Sequence, residues 1–307
     1  MDHTETHRIE NALTGLGYHQ VSGVRPIGGG WESAIWEAYT ASGPRAVRVF
    51  AGSERADAAR QEGRVMTELN AAGYPVPRIH EVVTGSELLD RPFLVMDLVD
   101  GGSLWDPGVS DRSTAAAATA DLMARLHRID PTRFDLVPWS SERWREEARP
   151  YVERFPGLGP PFEWLIDQIR FLPPVPCHND LHPGNILQDS EGQLWVVDWT
   201  AFGVGDPRLD AAWTRMLGTM FGDESFVSLF VASYQEATGL ILADPAVDAL
   251  TAWRRVADVL WFLTPEGSRI IRPGAEIDQH LSRLAVATTW IEAVTDMRIP
   301  EVDSIVS

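Results

Sequence analysis

The sequence predicts an α+β chain in two lobes: a small antiparallel-sheet lobe with one main helix over residues 1–97, and a larger, mostly helical lobe over residues 98–307. Three observations carry this. Five short β-prone runs fall before residue 97, with one long helical pattern among them. Beyond residue 110, apolar positions recur at helical spacing over 113–127, 211–220, 226–237, 248–263 and 280–295. A single hairpin signal interrupts that second part, where Ile186-Leu187 and Leu194 to Val197 flank Asp189-Ser190-Glu191-Gly192.

Residues 1–20 suggest a short amphipathic helix limited by Gly15 and Gly17. Val21 to Ile27 and Ala34 to Tyr39 read as strands joined by Gly28-Gly29-Gly30-Trp31-Glu32-Ser33. Glycines at such a turn let a backbone approach a phosphate closely, although the same residues also make a simple turn. Ala46 to Phe50 is the next strand and carries Arg48. Ser53 is the expected N-cap of a helix running to Ala72, with Gly73 as its stop. On that helix Glu62 shares a face with Val65, Met66 and Leu69. A carboxylate on an apolar stripe is costly unless paired, and Arg48 is the candidate partner; the alternative is a solvated edge of the stripe. Pro75-Val76-Pro77 forces an extended segment. His80 to Val83 and Phe93 to Met96 then read as paired strands around Thr84-Gly85-Ser86, and Met96-Asp97-Leu98-Val99 as the hinge between lobes.

In the second lobe, Ser113 to His127 is an alanine-rich helix whose terminal histidine reads as a core or capping residue. Residues 131–160, rich in Pro, Trp and charge, read as a helical insertion, followed by a short helix over Phe162 to Phe171. Pro173-Pro174-Val175-Pro176 delivers the chain stiffly into the hairpin region. Pro265-Glu266-Gly267 and Arg272-Pro273-Gly274 mark a loop between the last two helical patterns.

Composition bounds the function. A net charge of −18 makes nucleic acid and anionic membranes poor partners and would draw in a cationic substrate, although most of this acidity reads as serving solubility. No apolar run approaches the length of a membrane span, and Met1-Asp2-His3-Thr4-Glu5 has no secretory character. The lone Cys177 excludes an internal disulfide and fits a reducing, cytoplasmic compartment, where it reads as a small buried residue. The sequence leaves the oligomeric state open.

The chemistry concentrates in Cys177-His178-Asn179-Asp180-Leu181-His182-Pro183-Gly184-Asn185 and in Val197-Asp198-Trp199. Asn185 opens the predicted hairpin and Asp198 closes it, nearly equidistant from the turn, so antiparallel pairing would bring both to one end of the ribbon. Asp180 lies in the loop just before. An amide and two acids would then converge, supplying oxygen ligands suited to a hard cation such as Mg²⁺.

His-x-Asp-Leu-x-x-x-Asn followed by a strand-ending Asp matches the kinase catalytic-loop pattern. In this variant, with Gly205-Asp206-Pro207-Arg208-Leu209-Asp210 after it, the chain resembles the aminoglycoside phosphotransferase and choline kinase family over roughly residues 20–215. The resemblance implies a two-lobed protein-kinase-like fold, with a nucleotide-binding lobe over 1–97 and a catalytic and acceptor-binding lobe over 98–307. It implies ATP or GTP as phosphoryl donor and Mg²⁺ held by Asn185 and Asp198. Asp180 would orient the acceptor hydroxyl and take its proton late. Gly28, Gly29, Gly30 and Ser33 would lie over the phosphates, with Ser33 standing where protein kinases have a third glycine. Arg48, aligned by Glu62, would contact the α- and β-phosphates in place of the usual Lys. The backbone of Met96, Asp97 and Leu98 would hold the purine.

The family's acceptors are aminoglycosides, macrolides, choline, homoserine and sugars. An aminoglycoside-type antibiotic, and with it antibiotic resistance, is the first expectation, and a small-metabolite hydroxyl the second. Asp223, Glu224, Asp258 and Glu266 would suit a polycation; Trp139, Trp144, Trp253 and Trp261 would either wall a pocket or fill core. Two other readings compete. His178, Asp180 and His182 spell a possible metal-hydrolase fragment, but none of the remaining histidines repeats a ligand spacing, so both histidines read as loop architecture. A nucleotide-binding pseudokinase would be expected to have lost Asp180, Asn185 or Asp198, and all three are present.

Overall fold

The computed structural model describes residues 3–30, 32–85, 89–270, 281 and 283–306. They fall into two compact units, one formed within residues 1–101, 187–200 and 265–275, the other within 102–186, 201–264 and 276–307.

The first unit opens with α1 (His3–Gly15), then β1 (Ser22–Gly28), β2 (Ser33–Thr40) and β3 (Gly43–Phe50). A 3-10 turn, Ser53–Arg55, leads into α2 (Ala56–Ala71), followed by β4 (Ile79–Val83) and β5 (Phe93–Asp97). The five strands form one antiparallel sheet in the order β1-β2-β3-β5-β4. Alternation along β3 sorts its side chains between the two faces. Val47 and Val49 join Ile9, Ala12 and Leu13 of α1 in one buried cluster with Trp36, Phe93 and Val95. Ala46, Arg48 and Phe50 point to the opposite face, where α2 packs. Gly63 permits that close approach, because a Cβ there would lie 2.5 Å from Cγ2 of Val82. The expected cap fails: Ser53 sits inside the 3-10 turn, and α2 starts at Ala56 after Arg55 with no side-chain cap.

β6 (Gly101–Ser103) precedes the helical unit. That unit contains α3 (Arg112–Leu126), α4 (Ser141–Arg154) and α5 (Gly159–Gln168), which begins three residues before the expected Phe162 and ends three before Phe171. β7 (Val175–Cys177) follows; β8 (Ile186–Asp189), beyond its first residue, and β9 (Leu194–Val196) then lie in the stretch that belongs to the first unit, and the second resumes with β10 (Gly203–Gly205), which pairs antiparallel with β7. α6 (Pro207–Met220), α7 (Glu224–Thr238), α8 (Pro245–Phe262), α9 (Leu284–Thr295) and α10 (Pro300–Val306) complete it. Aspartate caps recur: Asp111, Asp206, Asp223 and Asp244 each accept an N–H from the first turn of α3, α6, α7 and α8, two of them ahead of a proline-led start. Phe230 and Tyr234 of α7 stack at 6.0 Å, and Phe162 of α5 lies 4.5 Å from Trp253 of α8. Trp144 and Trp253 are buried, so these two tryptophans fill core. The expectations at Trp31, Ser86, Arg272-Pro273-Gly274 and His280 lie outside the described residues. Among the described residues no helix is long and apolar enough to cross a membrane.

Candidate functional site

The first unit gathers a charged group around Arg48. β3 places this side chain on the α2 face, and α2 brings Glu62 to it: Nη1 of Arg48 lies 3.0 Å from Oε1 of Glu62. The other arm of the fork, Nη2, donates to Oδ1 of Asp198 and to Oγ1 of Thr200, both at 2.8 Å. Thr200 in turn donates to the same Oδ1 at 2.7 Å. Oδ2 of Asp198 faces the glycine turn, 3.4 Å from the position a Cβ on Gly30 would take. β9 ends at Val196, and Asp198 bends the chain with φ of +65°, a conformation non-glycine residues rarely hold. The bend is fixed behind it. Trp199 is buried edge-on to Tyr74 at 5.7 Å, and its backbone N–H donates to Oε1 of Glu62 at 3.2 Å.

One cation therefore serves two carboxylates. Burial opposes the charge on Arg48, but Asp198 and Glu62 hold its pKa above the ordinary value. Burial pushes the Glu62 carboxyl up, to about 7, against the pull of Arg48, and Asp198 adds to the rise. Asp198 is the stronger partner of the shared guanidinium, and Glu62 bears the desolvation.

Gly28 ends β1 opposite Ile35, and Ser33 begins β2, buried. Gly29 holds φ of +141°, and a Cβ there would lie 2.4 Å from the Ser33 carbonyl oxygen, so only glycine fits this turn. At the expected hinge, Met96 and Asp97 lie within the β5 ladder. The Asp97 N–H donates to the Arg78 carbonyl at 3.0 Å, and its carboxylate meets Nε2 of His80 at 2.6 Å. Leu98 is the first residue past the ladder.

The second unit holds the loop from His178 to Asn185. β7 delivers it and β10 backs it. Asp210, fully buried on α6, takes the His178 N–H on Oδ2 at 2.9 Å and the Asn179 N–H on Oδ1 at 2.8 Å. Asn179 can present its N–H this way because it adopts φ of +62°. Nε2 of His127 meets Oδ2 of Asp210 at 3.1 Å, while its Nδ1 meets the Tyr234 hydroxyl at 2.7 Å. Burial works to raise the Asp210 pKa, but the hydrogen bond and charge of His127, with His178, hold it below the usual carboxylate value. Cys177, His127 and Asp210 lie close enough to share an ion. Their atoms are committed otherwise, to this hydrogen-bonded network and, for the thiol, to the carbonyls of Val175 and Gly205. Burial pushes the Cys177 thiol well up, so it is no nucleophile.

Asp180 follows this anchor. Nε1 of Trp213, one turn beyond Asp210 on α6, donates to Oδ1 of Asp180 at 2.7 Å. Asn185 donates through Nδ2 to the Asp180 carbonyl at 2.8 Å, so its amide oxygen is the atom directed to other partners. His178 Nδ1 accepts the Asp180 N–H, and His182 Nδ1 accepts the Gly184 N–H, so both rings brace the loop as expected of architecture. Trp213 carries two cations on its ring, with Cζ of Arg254 and Arg255 at 5.0 and 6.0 Å. Trp213, Thr200 and the His127–Tyr234 extension were not singled out from sequence. Trp213 lies three positions after Asp210 on a helix, a spacing that does put it on the same face.

Each unit by itself carries an oxygen of the kind a hard cation takes, a carboxylate oxygen of Asp198 in the first and an amide oxygen of Asn185 in the second. Against known proteins, residues 23–253 match the model of the phosphotransferase enzyme family. The fold is shared with aminoglycoside phosphotransferase APH(4)-Ia, at a TM-score of 0.69 and 14% identity over 94% of this chain and 99% of that one. It is shared also with macrolide 2'-phosphotransferase MphH from Brachybacterium faecium, at a TM-score of 0.63 and 18% identity over 91% and 97%. A thermostable mutant of APH(4)-Ia in a ternary complex with ADP and hygromycin B gives a TM-score of 0.68 at 14% identity, over 93% and 98%. A curated relative, acyl-CoA dehydrogenase family member 10 of Mus musculus, is 25% identical over 177 residues, which is 52% of this chain and only 17% of that protein. A family match over most of the chain, together with a fold held in common along nearly its whole length, makes this chain a member of the phosphotransferase enzyme family.

Proposed function

We propose that the protein is a cytoplasmic, Mg²⁺-dependent kinase that moves the γ-phosphoryl group of ATP or GTP to a hydroxyl of a small molecule. The observation that carries this reading is the Asp180 carboxylate, held by the Trp213 indole and set on a loop whose backbone is clamped by Asp210. Such a fixed carboxylate suits a base that orients a hydroxyl and accepts its proton as the phosphoryl group departs. The lobe over 1–97 binds the nucleotide and the lobe over 98–307 supplies catalysis and acceptor binding. Gly28, Gly29, Gly30 and Ser33 offer backbone N–H groups to phosphate oxygens, Met96, Asp97 and Leu98 offer backbone to the purine, and Arg48, held by Glu62, orients Asp198 and would contact the α- and β-phosphates. Asn185 and Asp198 would hold Mg²⁺, which, when bound, neutralises charge on the phosphate oxygens.

The test is acceptor-dependent ADP or GDP release, screened over aminoglycosides, macrolides, choline, homoserine and sugars. Asp180→Asn should cut turnover while nucleotide affinity stays within about twofold. Equal Mg²⁺-dependent nucleotide hydrolysis in wild type and Asp180→Ala would favour a binding module instead. Hygromycin B in the complex of the APH(4)-Ia mutant supports an antibiotic acceptor. The arginines stacked on Trp213 favour the second reading, a metabolite hydroxyl.

A further inference from the structure

We infer that the surface beside Asp180 takes an acceptor bearing an apolar ring or chain together with an anionic group, and disfavours a polycation. This deepens the phosphotransferase reading and rests on it for the word acceptor.

Two side chains approach Oδ1 of Asp180, a buried tryptophan that fixes it and a histidine that leads to an exposed aromatic surface. One is Trp213, through Nε1 at 2.7 Å. The other is His182, whose Nε2 lies 3.9 Å away. The His182 ring is tilted against Trp105 at 4.6 Å, and Trp105 meets Phe221 edge-on at 5.5 Å. Trp105 and Phe221 are each 40% exposed, a large apolar area to leave facing water in one place. An acceptor hydroxyl reaching Asp180 would lay the rest of its molecule along such rings.

The charges accompanying the rings are positive. Arg254 and Arg255 stack on Trp213, and Cζ of Arg283 lies 4.2 Å from the Phe221 ring centroid. Arg255 is buried, and Asp180 is among the groups whose charge it feels. Two of the acids that would have welcomed a polycation already have partners, one of them Arg254 itself. Asp223 takes Nε of Arg112 on both oxygens, at 2.9 and 2.8 Å. Asp258 accepts from the Tyr151 hydroxyl at 3.2 Å and lies 3.8 Å from Arg254. A ligand with several ammonium groups would meet guanidinium groups here, whereas a carboxylate or phosphate would find them preorganised, with apolar surface alongside.

The test uses one skeleton at three charges: 3-phenyllactate, 3-phenyllactamide and phenylalaninol, each with a hydroxyl and a phenyl ring, with kanamycin as the polycation. Affinities are measured by calorimetry on the whole protein, and nucleoside diphosphate release with each compound is followed in parallel. Phenyllactate should bind about tenfold or more tighter than phenylalaninol, the factor expected of one charge-assisted contact. Arg254→Gln, at a half-exposed position, should bring the two within about twofold, and Trp105→Ala should weaken all three alike. Tighter binding of phenylalaninol or kanamycin, an unchanged order in Arg254→Gln, or no binding of any of the three would each overturn the inference. Should binding follow the expected order while no compound releases diphosphate, the ligand preference stands and the phosphotransfer reading falls.

Discussion

Arg48 and Asp198, 150 positions apart in sequence, are joined at 2.8 Å by one arm of the guanidinium, and the other arm lies 3.0 Å from Glu62. The fork is what lets one side chain reach both carboxylates. Arg48→Ala would leave two facing acids without a cation and should cost about 3–5 kcal/mol, the range for removing one partner of a buried pair. Arg48→Lys should recover only part of this, because a single ammonium cannot span both. Unfolding midpoints in urea check the order wild type, Lys, Ala; equal midpoints would show the group to be structurally idle.

Glu62 gives an unusual pH dependence. Its folded pKa, about 7, lies above its ordinary value, so the folded state binds more protons between about 4.5 and 7. The contribution is fully present below the unfolded pKa and is lost as pH rises through the folded one. Over that window the first unit should lose stability with rising pH, contrary to an ordinary carboxylate. Glu62→Gln should remove this slope, and denaturation of both proteins at pH 5, 6, 7 and 8 measures it.

Asp180 and Asp198 should fail differently. Asp198→Ala should abolish metal-dependent turnover and weaken Mg²⁺-nucleotide binding, whereas Asp180→Asn should lower kcat by two or more orders of magnitude with little change in nucleotide affinity. Loss of nucleotide affinity in Asp180→Asn with kcat retained would reverse the assignment.

Tyr234 is three links from the loop it supports, through His127 and Asp210. Tyr234→Phe removes one hydrogen bond and should cost about 1 kcal/mol of stability. His127→Ala takes a ring from a buried carboxylate and should cost more, with kcat falling while nucleotide affinity holds. An equal drop in affinity and kcat would mean that the network does not act through the His178–Asp180 segment.

Gly29→Ala should damage the glycine turn alone. With φ of +141° and a Cβ 2.4 Å from the Ser33 oxygen, alanine fits only if the turn opens. Nucleotide affinity should fall by about tenfold or more while the thermal midpoint moves little, as fluorescence titration and a melting curve would show.

The strands, the α2 stripe and the Arg48–Glu62 proximity were legible because each depends on local spacing: period two in β3, period three and four in α2. Ser53 misled because hydroxyl caps and 3-10 turns share residue preferences, and the extra turn displaced the true start to Ala56. The bend at Asp198 was invisible, since nothing in Val197-Asp198-Trp199 announces a left-handed aspartate. It is held there by Trp199 and Thr200, whose partners lie in β3 and α2. Asp210 stood within a recognised sequence run, yet its two backbone partners could be known only once α6 and the loop were folded together. The arginine character near Asp180 was masked by a net charge of −18, because total charge says nothing of where the few cations collect.

Cys177 has a practical consequence. It is the sole thiol of the chain, buried at the end of β7 opposite Gly203 of β10 and held protonated by burial. Maleimides should therefore leave the native protein untouched, and a cysteine introduced at an exposed position such as Val137 would be the single attachment point for a spectroscopic probe. The chain comes ready for site-specific labelling without first being stripped of native sulfhydryls.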